Sequence, residues 1–285
     1  MLIRRWRSIA AAAVAALALA LVPATGVLGA ERAAFDPGDI ISDDSFFNPD
    51  AMTASEIQSF LQSRTCKPTD GSPCLADFRA DVPRIPASAG RCAALPAKKG
   101  ERASSIIARV AEACTISPRV LLVLLQKEQS LLTAPSASGY LKATGYACPD
   151  TAECDKRYFG FVNQVYRAAW QFREYTVHPG DWRYGVGKND IQFHPDASCG
   201  SSRVTIVNQA TANLYNYTPY QPNDETLAAP TGPAGDCSTY GNLNFSRLYT
   251  SWFGDPRGVR YPTFVLPCLN YASGFGCAPT PGLQG

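Results

Sequence analysis

Ser117-Pro-Arg-Val-Leu-Leu-Val-Leu-Leu-Gln-Lys-Glu-Gln-Ser-Leu-Leu-Thr133 is the stretch on which the reading of this chain turns. Ser117 suits an N-cap, and Pro118 then stands at the first helical position, where its missing N–H costs nothing. Residues 120–125 are six consecutive apolar side chains. A helix apolar on every side belongs inside a core, not on a surface. The stretch turns polar at Gln126-Lys127-Glu128-Gln129-Ser130, so the helix ends by delivering one carboxylate, Glu128. A carboxylate at the polar end of a buried helix is partly desolvated, a setting that favours the proton-holding form a general acid needs. Such an arrangement can protonate a glycosidic oxygen.

Working outward, the N-terminus carries Arg4, Arg5 and Arg7, then an apolar run over residues 9–22 and small residues up to Ala30. That order predicts a secretory signal peptide over residues 1–30 and a secreted or cell-wall-associated protein. The ten cysteines all follow it. An even count in an exported chain reads as disulfides, and pairing between sequence neighbours gives Cys66–Cys74, Cys92–Cys114, Cys148–Cys154, Cys199–Cys237 and Cys268–Cys277.

The chain's formal charge is +2, and without the three signal arginines it is about −1. No basic patch stands out, so nucleic acid is not an expected partner. The pattern predicts a mainly α (α+β) domain over residues 31–257, stapled by disulfides. Residues 31–102 form its N-terminal extension, and residues 258–285 are a Pro/Gly-rich tail. Residues 40–48 read as extended. Thr53-x-x-Glu56 is a capping box that opens a helix. Residues 66–100 read as loop, 104–113 as helix and 158–177 as a long aromatic helix. Residues 182–207 alternate and break at Gly and Pro, as a small β-ribbon does. Residues 208–217 and 243–253 are the last helices, the second closed by Gly254.

Three pieces in this order resemble the lysozyme-like superfamily, in particular bacterial lytic transglycosylases and endo-β-N-acetylglucosaminidases that cut peptidoglycan. Leu125-Gln126-Lys127-Glu128-Gln129-Ser130 resembles the catalytic helix end. Gly160-Phe161-Val162-Asn163-Gln164 resembles, with one extra residue, the Gly-to-Gln element beside the cleft. Ala212-Asn213-Leu214-Tyr215-Asn216-Tyr217-Thr218-Pro219 resembles the Tyr-Asn segment near the acid. The likeness spans about residues 103–255. It implies a lysozyme-like helical domain acting on the β-1,4 glycan strands of peptidoglycan. Glu128 would be the acid and Tyr217 or Tyr215 the hydroxyl that holds the acid or the developing charge. Gln164 would bond an acetamido group or sugar hydroxyl, and Tyr158, Trp182 and Tyr184 would stack on sugar faces.

An inverting hydrolase needs a second carboxylate about 6.5–9.5 Å from the acid. Asp155, Asp181, Asp190 and Asp196 are candidates that sequence context does not rank. A single-acid mechanism assisted by the substrate's own acetamido group therefore fits, with the transglycosylase outcome favoured over hydrolysis. His178 and His194 each precede Pro and stand apart from any acidic cluster, so no metal site and no cofactor are expected. A Cys/His peptidase needs a free thiolate, which ten pairable cysteines do not supply, and no Gly-x-Ser-x-Gly elbow is present. The competing class is a non-catalytic wall-glycan-binding protein, or a surface adhesin, on the same scaffold.

Overall fold

The computed structural model describes residues 35–149, 152–232 and 234–258. Along them the chain forms α1 (Asp43–Phe46), α2 (Ala54–Gln62), β1 (Arg79–Val82), β2 (Lys98–Arg102), α3 (Ala103–Cys114) and α4 (Pro118–Gln129). It continues through α5 (Ala137–Leu141), α6 (Phe161–Val177), β3 (Gly187–Gln192), β4 (Ser201–Ile206), α7 (Gln209–Tyr217), α8 (Asp224–Ala228) and α9 (Gly241–Phe253). The predicted mainly helical α+β class holds. The expected signal peptide, the tail beyond Gly258 and the Cys268–Cys277 pair lie outside the described residues. No helix among the described residues is long and apolar enough to cross a membrane.

α4 is the central rod. Ser117 caps it by accepting from the Arg119 N–H, with Pro118 in the first turn. All six residues 120–125 are buried, and each such side chain contributes about 1.5–3 kcal/mol by leaving water. α9 and α3 pack against α4, α2 and α6 pack against α3, and α7 packs against α6. The rod stops at Ser130, which adopts a left-handed conformation (φ 52°). Its N–H bonds the Gln126 carbonyl, and the Leu131 N–H bonds the Leu125 carbonyl. A non-glycine residue held there stores roughly 1 kcal/mol of strain. The Gln126 side chain locks the following turn, donating to Thr133 Oγ1 (2.9 Å) and accepting from the Leu132 N–H (3.1 Å).

The capping box forms as read: Thr53 accepts from the Glu56 N–H, and the Glu56 carboxylate accepts from the Thr53 N–H. β3 and β4 pair antiparallel from Gly187↔Ile206 to Gln192↔Ser201, which is the expected ribbon. Two expectations are corrected. Residues 40–48 are not extended throughout, because Ser42 caps the short helix α1 and Asp43 and Asp44 sit in its first turn. Residues 66–100 are not all loop, because β1 pairs antiparallel with β2, Arg79 opposite Arg102. The disulfides Cys66–Cys74, Cys92–Cys114, Cys148–Cys154 and Cys199–Cys237 form between the expected partners.

The entry to α1 meets the segment that follows α9: the Ser42 N–H bonds the Pro256 carbonyl (3.1 Å) and Ser42 Oγ bonds the Gly258 carbonyl (2.9 Å). One core residue is out of character. Arg173 on α6 is 0% exposed. Its guanidinium lies over the Phe47 ring and has no hydrogen-bond partner among the described residues. Burial pushes its pKa down to about 10.

Candidate active site around Glu128

Glu128 stands in the last turn of α4 with its side chain 24% exposed. Beside it, Lys127 is 7% exposed and places its ammonium 2.5 Å from Glu128 Oε1. The same ammonium donates to Thr218 Oγ1 at 3.0 Å. A cation this enclosed needs its neighbouring anion, so Lys127 ties the carboxylate to the end of α7.

The other side of the carboxylate is bounded by backbone. Gly145 (φ +71°) approaches so closely that a Cβ there would lie 3.0 Å from Glu128 Oε2. Gly145 belongs to the turn Thr144-Gly145-Tyr146, which two side chains hold. Tyr217 donates its hydroxyl to the Thr144 carbonyl at 2.8 Å, and its ring packs on Phe172. The Tyr217 ring edge is partly exposed while its hydroxyl end is enclosed. Burial first, and then the charge of Glu128, raise the tyrosine well above its ordinary pKa, so it stays protonated and donates.

Gln164 is the second clamp. It is 0% exposed. Its Oε1 accepts from the Thr144 N–H (3.2 Å), the Tyr146 N–H (3.1 Å) and Thr144 Oγ1 (3.2 Å). Its Nε2 donates to the Tyr146 and Tyr158 carbonyls at 3.0 and 2.9 Å. Both amide atoms are therefore fully engaged by the protein. This corrects the expectation that Gln164 reaches a sugar. The turn it holds is closed further along by the Cys148–Cys154 disulfide.

The structure thus brings Glu128, Gln164 and Tyr217 together around one turn, and sets Tyr158 beside them. Tyr158 is half-buried and meets Tyr146 edge to face, ring centroids 5.1 Å apart. Three other expected contact residues sit elsewhere. Tyr215 is fully buried and donates to the Pro37 carbonyl (3.0 Å), anchoring the start of the domain. Tyr184 is buried and donates to the Pro219 carbonyl (3.1 Å). Trp182 packs edge-on against Tyr175, with its indole N–H buried and without a partner among the described residues. Neither Tyr215 nor Tyr184 has a ring face free for a sugar, because the core needed their apolar bodies.

Sequence reasoning missed Thr144, Gly145 and Tyr146 as site residues. The one local signal was Gly145 as a turn former, which says nothing of what the turn touches. The carboxylates weighed as second groups are mostly occupied locally. Asp155 bonds Arg157, Asp190 bonds Arg203 across the ribbon, and Asp196 caps the turn at Ser198. Arg157 holds Asp155, and Arg203 holds Asp190, below the ordinary carboxylate pKa. Asp181 lies in an exposed turn. His178 bonds Glu174, and His194 accepts from the Asp196 N–H. Among the described residues no three His, Cys, Asp or Glu side chains gather as metal ligands would, and no cysteine is free.

No curated protein and no solved structure matches the chain. Residues 39–264 match the family described as LasA, N-terminal domain. That family is one of secreted proteins tied to the cell wall, and the four disulfides fit a secreted protein. Its description names LasA rather than the lysozyme-like superfamily that the three local motifs resemble, and both are tied to peptidoglycan. Because the match takes in well over half of the chain, this protein belongs to the LasA N-terminal domain family.

Proposed function

We propose that this domain cleaves the β-1,4 glycan strands of peptidoglycan, with Glu128 as its single general acid. The observation that carries the reading is convergence. Segments as far apart in sequence as Lys127-Glu128, Thr144-Gly145-Tyr146, Gln164 and Tyr217-Thr218 meet at one half-buried carboxylate. LasA itself degrades peptidoglycan as an endopeptidase. The family therefore supports the polymer, and the choice of bond rests on the Glu128 side chain.

In this mechanism the Glu128 proton passes to the glycosidic oxygen as the C1–O bond breaks. The carbonyl oxygen of the substrate's acetamido group bonds to C1 in its place. Water, or the sugar's own 6-hydroxyl, then attacks C1 and releases the acetamido oxygen, and the attacking hydroxyl returns its proton to Glu128. Lys127 takes Oε1, which leaves Oε2, on the Gly145 side, as the oxygen that exchanges a proton with the substrate. Tyr217 acts through the Thr144 carbonyl, and Tyr158 offers a partly open ring beside the site.

Digestion of purified peptidoglycan by wild type and Glu128→Gln, with mass spectrometry of the fragments, tests the assignment. Loss of the acid lowers the rate by about 10²–10⁴. Anhydro ends mark the transglycosylase outcome, and reducing ends mark hydrolysis. Equal release by both proteins removes Glu128 from the role. The Lys127–Glu128 ion pair also suits a second reading, a non-catalytic wall-binding module. That reading takes over if both proteins bind the polymer and neither releases a fragment.

A further inference from the structure

We infer that the cavity between β1 and the start of α6 is a subsite for a short peptide that carries both a carboxylate and an ammonium group. The choice of such a peptide rests on the wall reading above, because the glycan strands of that polymer bear stem peptides of this kind. The cavity has a volume of about 460 Å³ and an aromatic lining from Phe78, Phe159 and Phe161. Two opposite charges share that lining, Asp81 and Arg167, with the amide of Asn163 beside them.

Neither charge is spent inside the protein. Arg167 has no ion-pair partner among the described residues, and its buried Nε has no hydrogen-bond partner. Its guanidinium is held in place by the rings of Tyr158 (5.4 Å) and Trp170 (5.9 Å). A fixed planar guanidinium with an open donor edge suits a carboxylate. Asp81 accepts only from the Gly100 N–H and is otherwise free to meet an ammonium. The first turn of α6, which has no side-chain cap, lines the same cavity with its positive dipole end.

The cavity is joined to the Glu128 site by rings. Arg167 stacks on Tyr158, Tyr158 meets Tyr146, and Tyr146 follows the Gly145 that touches the Glu128 carboxylate. A glycan lying across Glu128 would therefore present its peptide branch toward Arg167 and Asp81. The apolar spacers of that branch would cover the phenylalanine rings.

Calorimetry of the full chain with the tripeptide L-Ala-γ-D-Glu-meso-diaminopimelate tests this directly. The control is the same peptide acetylated on its amines and amidated on its carboxylates. We expect saturable binding of the charged peptide. Arg167→Leu and Asp81→Asn should each weaken it about tenfold or more, and Arg167→Lys by less. Asp81 is exposed, so its variant keeps the test valid should Arg167→Leu unfold. Glu128→Gln binds as wild type, which separates this subsite from the catalytic assignment. No saturable binding by wild type, equal binding of the neutral peptide, or wild-type affinity in both charge variants overturns the inference. Unchanged digestion by Glu128→Gln overturns only the reading of the acid.

Discussion

Gly145 presses its backbone against the Glu128 carboxylate, leaving 3.0 Å between Oε2 and the place where a Cβ would stand. The contact needs both the absence of a side chain and a left-handed backbone at this position (φ +71°). Gly145→Ala should therefore push the carboxylate aside and strain the turn by about 1–2 kcal/mol. Gly90 has the same φ (+71°) with only an ordinary contact at 3.8 Å, so Gly90→Ala carries strain alone. Wall digestion should fall about tenfold or more in Gly145→Ala beyond any loss in Gly90→Ala, since small misplacements of a reacting group are heavily penalised. Equal losses would show that the contact is incidental.

Gln164 should matter for stability before it matters for substrate. Gln164→Leu leaves the Thr144 and Tyr146 N–H groups and the Tyr146 and Tyr158 carbonyls without their partner. Each buried unsatisfied group costs about 1–3 kcal/mol. Chemical denaturation should show a loss of roughly 3 kcal/mol or more, with proteolytic nicking appearing first within residues 144–158. Gln164→Glu sets a carboxylate oxygen against the buried Tyr146 and Tyr158 carbonyls, and should lose at least as much.

Acid sensitivity has an identifiable source at the end of α6. Glu174 pairs with Arg91 and His178, and the bond from Arg91, set against burial, holds its carboxyl below the ordinary glutamate value. The unfolded chain therefore binds the proton more readily than the folded one. The stabilisation is complete above the unfolded pKa, about 4.3, and is lost as pH falls through the lower folded value. Melting temperatures of wild type and Glu174→Gln should be furthest apart above the unfolded glutamate value of about 4.3 and converge as pH falls below it. Curves that stay parallel across that window would show that the pair contributes no pH-dependent stability.

Arg173 makes the opposite kind of prediction. A fully buried guanidinium without a hydrogen-bond acceptor carries its desolvation penalty uncompensated. Arg173→Met, which keeps the packing on Phe47, should leave thermal stability unchanged or raise it by about 1–4 kcal/mol. A clear loss of stability would overturn the view that the buried charge costs more than it contributes.

What was legible in the sequence was whatever local chemistry encodes. The six apolar residues behind Ser117-Pro118 announced α4, Thr53 and Glu56 announced α2, and the four disulfides joined sequence neighbours. α1 does not show in a segment that reads as extended, because it is only one turn long and is set by Ser42 as N-cap with Asp43 and Asp44 in its first turn. β1 and β2 were missed because their residues are mostly charged and exposed, and neither strand shows a period until the other lies beside it. The site divides in the same way. Glu128 was visible from its helix, whereas the sequence pointed Gln164 at a sugar and not at the protein's own backbone. Its partners are backbone groups of a turn some twenty residues upstream, and no side-chain pattern records them. Gly145 touches Glu128 through the absence of a side chain, which leaves no local trace of the contact.

The bonds from Ser42 to Pro256 and Gly258 have an architectural consequence. Ser42 caps α1 and also grips the backbone that follows α9, so a single residue clasps the two flanks of the helical core together. Ser45 Oγ reaches the same Gly258 carbonyl. Loosening at residues 256–258 should therefore be felt at once in the first turn of α1.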